Sequence, residues 1–211
     1  MRIMPADARF KCGKQFLVGY VGVMGEQENI DSLLMSLHYI VHKLRRTDVH
    51  FGLVGSGTSL AELKALSIRL QIDKFVTFPG RVSDEIMLKM LNTADVCVNP
   101  DAPNAMNDKS TMNKIMEYMA LGKPIVQFDL TEGRFSAQGA SLYARNGDVE
   151  DFAEKIVELL DDPARRRVLG ELGRRRVENK LEWRRQVPAL LAAYEALWPA
   201  EVESLYETWT S

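Results

Sequence analysis

At 211 residues, 46% of them hydrophobic, the chain can bury a good core as one large α/β domain but lacks the length for two full-sized nucleotide-fold domains. Its 27 Lys and Arg against 29 Asp and Glu leave a net charge of -2, so no global basic field argues for a nucleic-acid partner. Cys12 and Cys97 are too few for a disulfide framework, and no run has the apolar length of a signal peptide or membrane span, so a reducing, cytoplasmic location is expected.

Residues 1–15 read as an irregular leader or linker remnant. The fold is expected to begin at Phe16, where FLVGYVG is an apolar, β-branched and aromatic run ending in glycine. Helix signals follow at once: Asn29, then Ile30, Leu33, Leu34, Leu37, Val41 and Leu44 at helical spacing. VHFGLVG at 49–55 is the second strand, and Thr58 or Ser59 can cap a helix carrying Leu60, Leu63, Leu66 and Leu70. KFVTFPG supplies a third strand, Ser83-Asp84-Glu85 a third helix start, and ADVCVNP a fourth strand before the polar loop DAPNAMND. No hairpin signal interrupts this alternation. It implies right-handed crossovers and a Rossmann-like three-layer α/β/α domain on a parallel sheet of roughly six strands.

The stretch DKSTMNKIMEYMALGKPIVQFD, 108–129, reads as polar loop, capped amphipathic helix, tight turn and buried strand. Either Ser110 or Thr111 can cap the helix, because its hydroxyl can accept from a first-turn amide. Met112, Ile115, Met116 and Met119 form the inward face, while Asn113 and Glu117 share a flank that can line a cleft. Such a helix start offers unpaired amides and a positive dipole end to an anion such as a diphosphate. Leu121-Gly122 and Pro124 end the helix, and Ile125 to Phe128 make a short interior strand. GASLYA, 139–144, is the last strand expected. Helices follow over 148–160, with Phe152, Ile156, Leu159 and Leu160 inward, from Asp162-Pro163, and from Trp183 with Val187, Leu190, Leu191, Tyr194 and Leu197.

Ligands of open parallel sheets sit beyond the carboxyl ends of the strands. Gly22 and Gly25, Gly55-Ser56-Gly57, and Pro79-Gly80-Arg81-Val82 all fall on such exits, where glycine permits close backbone approach. Alone, each glycine is ordinary turn geometry and Glu117 an ordinary solvated carboxylate; together they mark one sheet edge as a binding site. The chain has neither G-x-G-x-x-G nor a P-loop, and no G-x-S-x-G elbow. His38 and His42 have zinc-like spacing but lack a third ligand, so no metal is expected. The arginines at 165–167, 174–176 and 184–185 alternate with acids, which favours a solvated, salt-bridged face over a membrane-docking stripe.

KIMEYMALGKPIV resembles the segment of family-4-type retaining glycosyltransferases of GT-B architecture in which a helix glutamate precedes A-x-G-x-P and two apolar residues. The resemblance runs from about 16 to 198 and includes VGSG, VTFPGRV, ADVCVNP and DDPARRRVLGELGRRRVE. It implies the C-terminal, nucleotide-sugar-binding half of such an enzyme over 16–198, with a tail at 199–211. By resemblance, Glu117 holds the ribose hydroxyls and Arg81 and Val82 line the base. Ser110, Thr111, Met112 and Asn113 meet the sugar and diphosphate, and Gly22 and Gly25 lie beneath the phosphates.

The chain departs from the family pattern in two places, one position before the helix and the first loop. Lys109 stands where a further glutamate is usual, eight residues before Glu117, and the first loop VGVMGEQEN offers Val23, Gln27 and Asn29 in place of a phosphate-neutralising arginine and lysine. Lys109 can restore part of that charge. The resemblance implies retentive, front-side transfer from a nucleoside diphosphate sugar to a sugar or lipid-linked acceptor, with no cofactor and no metal. Acceptor contacts belong to an N-terminal domain for which these residues leave no room. The last helix, ending at Tyr194 to Trp198 with Trp209 beyond, is therefore expected to expose an apolar patch. Self-association through the exposed cleft or the C-terminal helices, and peripheral contact at the inner face of the membrane, are further partner expectations. The alternatives are a non-catalytic nucleotide-binding or interaction module of the same fold, and a nucleotide-sugar epimerase, which lacks an evident acid-base pair.

Overall fold

The computed structural model describes residues 3–197. The chain divides into two compact units, Met1–Arg174 and Arg175–Ser211. The first holds a six-stranded sheet of β1 (Phe16–Val21), β2 (Val49–Val54), β3 (Val76–Gly80), β4 (Val96–Asn99), β5 (Ile125–Phe128) and β6 (Ser141–Ala144). All strand pairs are parallel, and the order is β3-β2-β1-β4-β5-β6.

The helices are α1 (Ile30–His38), α2 (Leu60–Arg69), α3 (Asp84–Thr93), α4 (Asn113–Ala120), α5 (Thr131–Ala137), α6 (Val149–Asp161) and α7 (Pro163–Arg176). Alternation along β1 explains how they pack. Val18 and Tyr20 enter one core with Leu33, Leu34, Leu37, Phe51, Phe152 and Ile156, while Gly19 on the opposite face lies against Met90, Leu91 and Ala94 of α3 and its end. The helix expected over 148–160 forms, capped by Asp148, whose carboxylate accepts from the Glu150 and Asp151 amides. Phe152, Ile156, Leu159 and Leu160 are buried along it as the apolar spacing requires. α5 was not anticipated. Its sequence TEGRFSA is short and carries Gly133 mid-helix, where a Cβ would stand 2.6 Å from Gln127 Oε1 of β5.

Residues read as an irregular leader contain a 3-10 turn, Ala8–Lys11, held to the end of α3. The Asp7 amide donates to Thr93 Oγ1 at 2.8 Å, and Lys11 Nζ pairs with Asp95 at 2.9 Å. Both cysteines are free, Cys12 exposed and Cys97 buried in β4. The His38 and His42 rings are 4.6 Å apart, and His38 Nδ1 lies 3.1 Å from the Leu70 carbonyl oxygen. Among the described residues no group of three or more His, Cys, Asp or Glu is placed to hold a metal.

Arginines of the basic clusters bind locally. Arg165 pairs with Glu158, and Arg166 Nη1 donates to the Leu159 and Leu160 carbonyls at the end of α6. In the second unit, α8 (Trp183–Leu197) has no buried residue, and Trp183, Leu190, Leu191, Tyr194 and Leu197 are exposed. Arg184 pairs there with Glu182. Trp198, Trp209 and the 199–211 tail lie outside the described residues. No helix among the described residues is long and apolar enough to cross a membrane.

Candidate functional site

The strand order reverses between β1 and β4, so the loops leaving these two neighbours diverge and open a crevice at their carboxyl ends. Both glycine loops reach that edge and are stitched together. The Gly22 amide donates to the Val54 carbonyl at 3.1 Å, Met24 to Ser56 at 3.1 Å, and Ser59 to Met24 at 3.0 Å. Gly55 has φ 144° and touches Gly22 so closely that a Cβ would run into the Gly22 carbonyl oxygen. The Gly55 amide donates in turn to the Gly80 carbonyl at 3.0 Å, linking the loop that carries Arg81 and Val82. Gly22, Gly55, Ser56, Gly57 and the Arg81-Val82 loop thus share one edge.

The close approach permitted by these glycines is used between the loops themselves. The Gly25 amide is taken as well, donating to Glu28 Oε2 at 3.0 Å. Asn29, at φ 53°, does not cap α1 with its side chain but donates from Nδ2 to the Pro100 carbonyl at 3.0 Å. Buried Asn107 donates to the Gln27 and Ala102 carbonyls, and the Ala102 amide also reaches Gln27. The loop after β1 is therefore fastened to the loop after β4. A cavity of about 300 Å³ lined by Gly25, Asn29, Ser59, Glu62 and Arg69 lies beside it, between α1 and α2.

The start of α4 differs from expectation. Met112 occupies the N-cap position without a side-chain cap, and neither expected hydroxyl performs that role. Ser110 Oγ donates to the Met106 carbonyl and Thr111 Oγ1 to Glu132 Oε1, because a 3-10 turn, Asn107–Lys109, turns the chain before the helix begins. Lys109 and Asn113 are exposed on this approach. The inward face is also shifted: Ile115, Tyr118 and Met119 are buried, whereas Met112 and Met116 are half-buried. Tyr118 is drawn in because its hydroxyl accepts the Val21 amide at 3.0 Å, at the end of β1.

Glu117 is half-buried on the flank of α4, and among the described residues its carboxylate has no hydrogen bond or ion pair. Burial first, then the Asp84 carboxylate at the start of α3, raises its pKa. The Asp84 charge that acts on it belongs to the segment that follows Arg81 and Val82. A desolvated carboxylate without a partner is a strong acceptor for hydroxyl donors.

Lys114 was not singled out from sequence, yet it is the most tightly held cation of the site. Its Nζ lies 2.8 and 3.1 Å from the Asp101 carboxylate oxygens and 3.0 Å from Asn99 Oδ1, and 5.4 Å from the centre of the Tyr20 ring. Burial raises the Asp101 pKa, opposed by the Lys114 charge. A lysine three residues before Glu117 on a polar helix start was the available signal, but its partners could not be read locally.

A family model described as "Glycosyl transferases group 1" matches residues 15–162. The chain is 28% identical over 156 residues to a Corynebacterium glutamicum protein named GDP-mannose-dependent monoacylated alpha-(1-6)-phosphatidylinositol monomannoside mannosyltransferase, covering 72% of this chain and 40% of that one. It is 26% identical over 205 residues to the Staphylococcus aureus capsular polysaccharide biosynthesis glycosyltransferase CapM, covering 92% of this chain and 46% of that one. The chain spans less than half the length of these curated relatives. A crystal structure of an S. aureus TarM mutant with fondaparinux, alpha-GlcNAc-glycerol and UDP shares the fold, with a TM-score of 0.75 at 19% identity over 91% of this chain and 37% of that one.

Proposed function

The chain belongs to the glycosyl transferases group 1 family, and on that premise we propose that it is the donor-binding half of an enzyme that moves a sugar from a nucleoside diphosphate sugar to a sugar or lipid-linked acceptor. The observation that carries this reading is Glu117: a half-buried carboxylate with no hydrogen-bond partner among the described residues, on the helix beside the glycine loops and the Arg81-Val82 turn. A group desolvated at a cost and left without a protein partner is suited to accept from the vicinal hydroxyls of a ribose.

In this reading Arg81 and Val82 border the base. Lys109, Ser110, Thr111, Met112 and Asn113 border the sugar and diphosphate, and the Gly22 and Gly55-Ser56-Gly57 loops floor the phosphates. Transfer proceeds on the front face with retention, the departing phosphate assists, and no protein nucleophile is needed. Acceptor contacts come from an N-terminal half, which makes this half alone a weak binder with little turnover. The names of the relatives support a nucleoside diphosphate sugar as donor: GDP-mannose for the C. glutamicum protein, while UDP is bound in the TarM structure.

A second reading, a non-catalytic module that keeps the fold, is favoured by the loop that leaves the first strand. The loop after β1 brings no lysine or arginine, and its Gly25 amide is already bonded to Glu28. Calorimetric titration with UDP, GDP and their sugar conjugates, beside Glu117→Ala, separates the two. Saturable binding of one nucleotide, removed by the substitution, supports the donor site and identifies its base. A folded chain that binds none of them favours the module.

A further inference from the structure

This inference rests on the donor-site reading and concerns how the site neutralises a diphosphate. Between Lys14 and Lys43 the sequence contains no lysine or arginine, so the loop leaving β1 carries only negative charge, at Glu26 and Glu28. Arg81 and Lys109 are exposed. The cation that the fold sets against the ends of β1 and β4 is Lys114, whose side chain is 11% exposed.

Its placement is specific. Asn99 is the last residue of β4 and Asp101 lies two residues beyond, and both hold Nζ. Lys114 Cε stands 3.4 Å from the point where a Cβ on Gly22 would sit, so its stem runs beside the exit of β1. The ammonium therefore sits where the strand order reverses, the position at which parallel sheets present positive groups to ligand phosphates.

Stability does not account for the pair. The Asp101 side chain is 2% exposed, and a buried ion pair is on average no more stabilising than apolar residues of the same volume. We propose that Lys114 is the phosphate-facing cation of the donor site and that Asp101 holds it in place and moderates its charge. Lys114 donates to both Asp101 oxygens, and an arriving phosphate oxygen can take over one of these two donors while the other keeps the side chain anchored. Electrostatic selectivity follows. The site favours a ligand bearing more negative charge than the carboxylate it competes with, so a nucleoside diphosphate is distinguished from the bare nucleoside.

The test compares UDP and GDP with uridine and guanosine, by calorimetry, on the wild-type chain, Lys114→Met and Asp101→Asn. Lys114→Met is expected to weaken the diphosphate roughly tenfold to a hundredfold and to leave the nucleoside within about twofold, as for a charge-assisted bond to the phosphates alone. Asp101→Asn keeps the shape but removes the competing charge, and should tighten the diphosphate by roughly threefold to tenfold without altering the nucleoside. A gain of affinity cannot come from misfolding. Lys114→Met that binds the diphosphate like wild type, or that weakens nucleoside and diphosphate alike, overturns the inference while leaving the donor site standing. Unchanged or weakened diphosphate binding in Asp101→Asn removes the role given to Asp101. A wild-type chain that binds neither ligand class overturns the donor-site reading and this inference together.

Discussion

Gly22 and Gly55 meet backbone against backbone, so that a single methyl group on Gly55 would occupy the space of the Gly22 carbonyl oxygen. That contact joins the exits of β1 and β2 and thereby sets the floor of the crevice. Replacing Gly55 by alanine meets both a blocked position and φ 144°, and should cost on the order of 3 kcal/mol. Gly80 is the control: at φ 78° an added Cβ has nothing within 4 Å, so alanine there should cost only about 1 kcal/mol. Urea unfolding midpoints of the two variants test the ranking, and equal losses would show that backbone strain alone governs both.

Glu117 should trade stability for binding. Burial and then Asp84 raise its pKa, so the folded state disfavours the ionised form relative to the unfolded chain. The resulting penalty is present at neutral pH and is relieved as pH falls and the group takes up its proton. Glu117→Gln is therefore expected to raise the thermal midpoint slightly at pH 7, to lose that advantage under acid conditions, and to abolish nucleotide affinity. A variant that is less stable yet still binds would contradict both halves of this statement.

His50 supplies an acid-sensitive element on β2. It is buried, its Nε2 lies 2.8 Å from Thr77 Oγ1, its Nδ1 has no partner among the described residues, and burial lowers its pKa from 6.5 to about 4. Because the folded value lies below the unfolded one, the stability from this group is complete above pH 6.5 and is lost as pH falls toward 4. In His50→Gln, which can still bond Thr77, stability should fall less steeply over that window. Denaturant titrations at a series of pH values would reveal parallel curves if His50 is not responsible.

Asn107 should control the order of the loop before α4. Its Nδ2 is 3.1 Å from the Gln27 carbonyl oxygen and 2.9 Å from that of Ala102, so Asn107→Ala removes both bonds from a buried site. The expected loss is roughly 1–3 kcal/mol, with faster amide exchange in 102–112 and in the loop after β1. Exchange that rises in one loop only would mean that Asn107 does not fasten them together.

Some of the site was legible from residues alone. Ser83 and Asp148 stand at helix starts that the sequence marks, and both accept from amides of their own first turns. Ser110 and Thr111 carry the same local signal but bond Met106 and Glu132 instead, since a hydroxyl before a helix takes whichever partner the loop presents. Tyr118 lies outside the inward face that helical spacing marks on α4, and what draws it in, the Val21 amide, lies on another element, the strand β1. Lys114 escaped notice for a similar reason: Asn99 and Asp101 precede it by 15 and 13 residues, across a loop with no periodicity.

Residue spacing alone is enough to show that strands and helices alternate, that the sheet is parallel, and that glycines and Glu117 fall at strand exits or on the helix beside them. These are consequences of local spacing, because apolar period and turn residues act within a few positions of each other. That β1 lies between β2 and β4, and with it that Gly22 meets Gly55 and Lys114 closes on Asp101, emerges from the folded chain. Strand order is chosen by which long-range pairings bury both faces of the sheet at once, and no local pattern encodes that choice.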